Sequence, residues 1–250
     1  MEIEKFFESI DENGFRCYAI TGGGGKTSLM FALGRYFAAR YWTLVTTTTK
    51  IKRPAEDECD SLTVGPVSAL ANEAAREKRL IVAGASYLGP KLTGYAPEEI
   101  DRLAESRIFD RIITEADGSR GLSLKAYEEW EPPVPHGTEC HFIVVGADIL
   151  TAPLTEENVF RLSELSERHD IKRGEAIPVI KLAALLSNRR EYLKNAPKSA
   201  FRILFINKCE LLQESQLKNI ISELAQNLSG CNMIAAASLN QREVYKIMPL

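Results

Sequence analysis

Apolar residues along this chain fall into two rhythms. Short runs at 15–20, 41–47, 80–84, 111–117, 141–146, 201–206 and 231–237 are rich in β-branched, aromatic and small apolar residues, and read as buried strands. Between them apolar positions recur at helical spacing. Residues 1–12 carry Ile3, Phe6, Phe7 and Ile10, and the stretch after the first strand carries Leu29, Met30, Leu33, Tyr36 and Phe37. Further helices are expected over 68–78, from Pro97 onward, over 155–168, over 176–195 with Ile180, Ala183, Ala184 and Leu186 inward, and over 214–228. Pro97 suits a first helical turn, and Glu98 and Glu99 favour its positive end. Asn13-Gly14 is a turn. The stretches 52–61, 86–96 and 124–140 are expected as loops, the last stiffened by Pro132, Pro133 and Pro135. Strands alternating with helices predict an α/β fold, with a mostly parallel sheet and helices on both faces.

Candidate chemistry sits where three of these strands end. The first runs into Thr21-Gly22-Gly23-Gly24-Gly25-Lys26-Thr27-Ser28 and then a helix. Glycines let backbone N–H groups turn toward an anion, and a helix N-terminus adds partial positive charge. Lys26 adds a full charge, and the Thr27 hydroxyl can ligate Mg²⁺. This is the layout of a phosphate-binding loop, and it predicts a three-layer fold of the P-loop NTPase kind over a single domain, 1–250. The pattern G-x-x-x-x-G-K-[ST] is broken at its first glycine, where Ile20 stands, and Thr21 replaces the signature lysine of one ATPase subgroup. The strand at 41–47 ends in Thr48-Thr49-Lys50, with a hydroxyl to offer Mg²⁺ or a terminal phosphate.

The strand at 111–117 carries Glu115 and Asp117, which share a face and give the Mg²⁺-side carboxylate two candidates. Glu115-Ala116-Asp117-Gly118 also fits E-x-x-G, whose glycine N–H can sense a terminal phosphate. The strand at 201–206 ends in Asn207-Lys208-Cys209-Glu210, close to the N-K-x-D that reads guanine. The amide bonds the base edge, the lysine stem covers the ring, and the carboxylate takes two guanine N–H donors that adenine lacks. Glu210 replaces the aspartate and is one methylene longer. Arg120 is the nearest candidate for a built-in arginine that stabilises transferred phosphate.

Composition narrows the classes. A net charge of −3 over 250 residues, with no basic stripe, argues against nucleic acid as a partner. Five scattered cysteines without a C-x-x-C pair point to a reducing, cytoplasmic setting. The acidic start Met1-Glu2-Ile3-Glu4 predicts no signal peptide, and no 18-residue apolar run predicts a membrane span. His136, Cys140 and His141 lack the repeated pairs of a zinc site.

Four stretches together resemble the YqeC family: Thr21-Gly22-Gly23-Gly24-Gly25-Lys26-Thr27, Thr47-Thr48-Thr49-Lys50-Ile51, Ala116-Asp117-Gly118-Ser119-Arg120-Gly121 with Leu124-Lys125-Ala126, and Glu131-Pro132 through Pro135. Trp130 stands where the family pattern tends to have histidine. The family is named for accessory proteins of selenium-dependent molybdenum hydroxylases. The resemblance therefore implies a P-loop protein that helps mature such an enzyme, partnered by it or by its cofactor-assembly proteins. The resulting expectation is a Mg²⁺-dependent, slow nucleoside triphosphatase, with GTP slightly favoured over ATP. Lys26, Asp117 and Glu115 would be catalytic, Thr27 and Asp117 would hold the metal, and Gly22 to Ser28, Thr48, Lys50, Gly118, Asn207, Lys208 and Glu210 would bind nucleotide. The alternatives are a kinase or transferase acting on a molybdopterin-type cofactor, with 86–96 and 124–140 as its pocket, or a nucleotide-binding module without turnover.

Overall fold

A computed structural model describes residues 1–55, 57–70 and 79–250. The chain opens with α1 (Ile3–Asp11), β1 (Cys17–Gly22), α2 (Lys26–Ala38) and β2 (Thr43–Thr47). Then come β3 (Lys50–Lys52), β4 (Ser61–Val64), β5 (Leu80–Gly84), β6 (Ser86–Leu88), β7 (Lys91–Thr93) and α3 (Pro97–Ser106). β8 (Arg111–Glu115), β9 (Leu124–Lys125), β10 (Cys140–Gly146), β11 (Val159–Phe160), α4 (Leu162–His169) and α5 (Val179–Leu186) follow. The chain closes with β12 (Phe201–Asn207), α6 (Glu214–Asn227), β13 (Met233–Ser238) and β14 (Glu243–Pro249).

The nine-stranded sheet has the order β14-β13-β12-β10-β1-β8-β2-β5-β4. Its neighbours are parallel except β13 and β14. Strands such as β10, buried at every residue, are apolar on both faces because helices cover both. Phe142 and Val144 face α1 and α2, whereas Ile143 and Val145 face the layer of α4, α5 and α6. α3 packs Ile100 and Leu103 on Leu44, Ile81 and Ile112 at the other end of that second face. The predicted α/β class with a mostly parallel sheet is what the structure has, in three layers. From β1 the chain builds outward through β2, returns to β8, and crosses to β10 on the opposite side of β1. The order reverses at β1, so the loops after β1, β8 and β10 border one crevice at the strands' C-terminal ends.

Several local expectations are corrected. Residues 155–168 are not one helix: Val159 and Phe160 pair in parallel with Leu124 and Lys125, and Arg161, at φ 59°, turns the chain into α4. The helix expected over 176–195 is only α5, begun after Pro178 and ended where Ser187 Oγ donates to Ala183 O. It turns Leu182, Ala183, Leu185 and Leu186 inward, and leaves Ile180 and Ala184 exposed. The loop at 86–96 contains the hairpin β6–β7, which pairs with β3 in a small antiparallel sheet. The edge strands β4 and β14 were not legible as strands. Of the helix expected over 68–78, residues 71–78 lie outside the described residues, and Val67–Ala69 forms a 3-10 turn.

Candidate functional site

The glycine loop is anchored from three sides. Gly22 N donates to Asp117 Oδ2 (3.0 Å), Gly23 N to Val144 O (2.8 Å) and Gly24 N to Leu122 O (2.8 Å). At Gly24, with φ 77°, a Cβ would stand 2.4 Å from Gly146 N, so only glycine fits that close approach. The loop then opens onto α2. The N–H groups of Gly25, Lys26, Thr27 and Ser28 meet no acceptor among the described residues, and these four residues line an open cleft. Unpaired donors at a helix N-terminus beside a lysine are what an anion cradle requires.

Under the cradle lies a buried charge cluster. Lys26 Nζ donates to Gly22 O (2.8 Å) and Ser119 Oγ (2.9 Å), and stands 3.3 Å from Asp117 Oδ1 and 3.9 Å from Glu115 Oε1. Asp117, fully buried, also faces Lys125 Nζ at 3.4 Å. Burial alone would raise its pKa, but Lys26, Lys125 and the Gly22 N–H together hold it below the usual carboxylate range. Glu115 goes the other way: burial raises its pKa against the pull of Lys26 and the Thr27 hydroxyl. Lys125 is itself completely buried, donating to Gly118 O (2.8 Å), with its ammonium over the Tyr127 ring.

The two acids therefore share a neighbour but hold different places. Thr27 Oγ1 donates to Glu115 Oε2 (2.7 Å), whereas Asp117 sits beneath the loop between two lysines. Thr48 N donates to Glu115 O (3.1 Å), and Thr48 Oγ1 is buried with no partner among the described residues. The Thr27–Glu115 pair and, on the neighbouring strand end, the orphaned Thr48 hydroxyl are oxygen ligands of the type a hard divalent cation such as Mg²⁺ takes. Lys50 is exposed on β3 and lines the same cleft.

Asn207 is placed differently from its sequence reading. Its Nδ2 donates to Gly24 O (2.7 Å) and its Oδ1 accepts from Leu239 N (3.0 Å), so the buried amide ties the glycine loop to the turn after β13. Lys208 Nζ donates to Ser123 Oγ (2.7 Å) and lies 3.3 Å from Asp148 Oδ2. Glu210 lines the cleft, and its Oε2 is buried without a hydrogen-bond partner among the described residues. The Ser123–Asp148 pair and the bond between Thr21 Oγ1 and His141 Nε2 (2.8 Å) carry no sequence signal, because their partners lie far along the chain; Lys125 stands in a family stretch, but its place against Asp117 does not show in sequence.

Comparison with known proteins places this geometry in a family. A family model described as YqeC protein matches residues 18–163, from β1 through β11. That span includes the glycine loop, Thr48, Glu115, Asp117 and Lys125, and stops short of Asn207 and Glu210. A protein of Escherichia coli (strain K12) described as Uncharacterized protein YqeC is 33% identical over 220 residues, which cover 84% of this chain and 81% of the relative. With a match over more than half of its length and a relative of this extent, the chain belongs to the YqeC family.

Proposed function

We propose that this protein binds a Mg²⁺–nucleoside triphosphate on the loop at 21–28 and hydrolyses it slowly, GTP in preference to ATP. The observation that carries this reading is the row of unpaired N–H groups from Gly25 to Ser28, set beside Lys26 at the reversal point of the sheet. Those donors would take the phosphate oxygens. Lys26 would turn from Gly22 O and Ser119 Oγ toward the β- and γ-phosphates, leaving Asp117 to its other partners, Lys125 and the Gly22 N–H. Thr27, Glu115 and Thr48 would hold Mg²⁺, which when bound neutralises phosphate charge. Glu115 would orient the Thr27 hydroxyl and the water near it.

The buried, unpaired Glu210 Oε2 supports the guanine preference, since the carboxylate would accept the N1–H and N2–H donors of that base. Asn207 and Lys208 would serve by holding the loop. The earlier resemblance extends the proposal to maturation of a molybdenum hydroxylase, with nucleotide state as the signal. The test is phosphate release from Mg-GTP and Mg-ATP by the wild type and by Glu115→Gln. The expected wild-type rate is on the order of 10⁻⁴ to 10⁻² s⁻¹ without a partner, lost in the variant while nucleotide still binds. Tight binding with no release, partner or not, would reduce the protein to a non-hydrolysing module.

A further inference from the structure

The cleft beside the glycine loop carries more positive charge than one nucleotide accounts for. Most of its cations already face carboxylates. Lys26 faces Asp117, Arg161 faces Glu128 and Glu131, and Lys208 faces Asp148. Farther out, Arg35, Arg40 and Arg242 face Glu58, Asp11 and Glu4. Lys50, Lys52, Lys91 and Arg120 line the same cleft and face none among the described residues.

Three of these are also placed at some cost. Lys52 and Lys91 are direct partners in the β3–β7 register, like charges opposite one another, an arrangement that destabilises a sheet. Arg120 is a non-glycine residue at φ 54°, and its guanidinium lies 4.9 Å from the centre of the Phe160 ring. Edge protection explains lysines on β3, an edge strand of the small sheet, but not Lys91 on the middle strand or Arg120 in another segment. The two segments leave neighbouring strands: β2 and β8 run side by side to Thr47 and Glu115, and the Thr48 N–Glu115 O bond joins their ends. The small sheet is strapped to that point, with Gly94 N donating to Thr49 O (2.8 Å) and Tyr95 N to Thr47 O (3.0 Å).

We propose that Lys50, Lys52, Lys91 and Arg120 form a seat for a second, phosphate-bearing small molecule that binds together with the nucleotide. The proposal rests on the nucleotide reading of the loop, and it moves Lys50 from the nucleotide to this second ligand. The chain's net charge is −3 and the other cations of the cleft already face carboxylates, so the four are not part of a general basic surface of the kind a long polyanion needs.

Inorganic pyrophosphate is the probe, titrated by calorimetry into protein saturated with Mg²⁺ and the tighter of the β,γ-imido analogues of GTP and ATP. One further saturable site is expected. Lys52→Glu/Lys91→Glu and Arg120→Ala should each weaken it by about tenfold or more, and the lysine pair should leave nucleotide affinity unchanged. No pyrophosphate binding to the filled protein, or equal binding by these variants, overturns the seat. If the wild type ignores nucleotides, pyrophosphate is titrated alone. Loss in Lys52→Glu/Lys91→Glu but not in Lys26→Ala then upholds the seat and removes the nucleotide reading, and the reverse pattern overturns the seat.

Discussion

Asn207 keeps its place in the motif while its amide is bonded within the protein. In sequence it stands where a base-reading amide belongs, yet both ends of its amide are spent on Gly24 and Leu239. Asn207→Ala should therefore weaken GTP and ATP alike, by an amount set by two lost buried hydrogen bonds, about 1–3 kcal/mol. Glu210→Gln should weaken GTP alone, because an amide oxygen replaces only one of the two acceptors guanine needs. Competition of the two nucleotides on each variant separates the cases, and an Asn207→Ala protein that lost only GTP would restore the base-reading role. Asp117 makes a second contrast. Asp117→Asn removes the buried charge shared by Lys26 and Lys125, leaving each ammonium one carboxylate, Glu115 at 3.9 Å and Glu131 at 3.3 Å, and should cost up to about 3–5 kcal/mol in urea unfolding. Lys26, Thr27 and Glu115 were legible from local order alone. Asp148 was not, since nothing beside it in sequence announces Ser123 and Lys208, and Lys125 was marked only by the family stretch, which did not announce its pairing with Asp117.

At the scale of elements, strong periodicity was readable and short pairing was not. The buried runs became β1, β2, β5, β8, β10, β12 and β13 because parallel strands covered on both faces must be apolar throughout. β9 and β11, of two residues each, exist only through each other, so the apolar spacing over 155–168 read as helix. Ile180 followed the helical pattern and still faces solvent, since α5 is cut to eight residues and turns its Leu182–Leu186 side inward. The glycine loop is the element on which the site depends. Gly24→Ala would force a left-handed backbone on an alanine and press its Cβ against Gly146 N. The strain alone is worth about 1–3 kcal/mol. A lowered urea midpoint together with lost nucleotide binding is expected, and unchanged values for both would mean the loop is not held as described.

Across the whole molecule, acid should act through a buried ring. His141 is fully buried in β10, and burial, aided by Arg202, lowers its pKa to about 3. An unfolded histidine titrates near 6.5, so below that pH the unfolded chain takes a proton that the folded chain refuses. Stability should fall as pH drops through this window, approaching about 1.4 kcal/mol per unit. Urea unfolding at successive pH values between 7 and 5 checks the slope, and His141→Gln should flatten it by close to one proton. Equal slopes in the two proteins would show His141 accepting its proton in the fold.

The proposed function requires that the row of N–H groups beside Lys26 receive a triphosphate. Calorimetric titration of Mg-GTP and Mg-ATP into the wild type and Lys26→Ala tests it most directly, with unfolding measured alongside to confirm that the variant is folded. Saturable, one-to-one binding of at least one triphosphate is predicted, weakened by about 10- to 150-fold when the charged donor is removed. A folded wild-type protein that takes up neither nucleotide would contradict it.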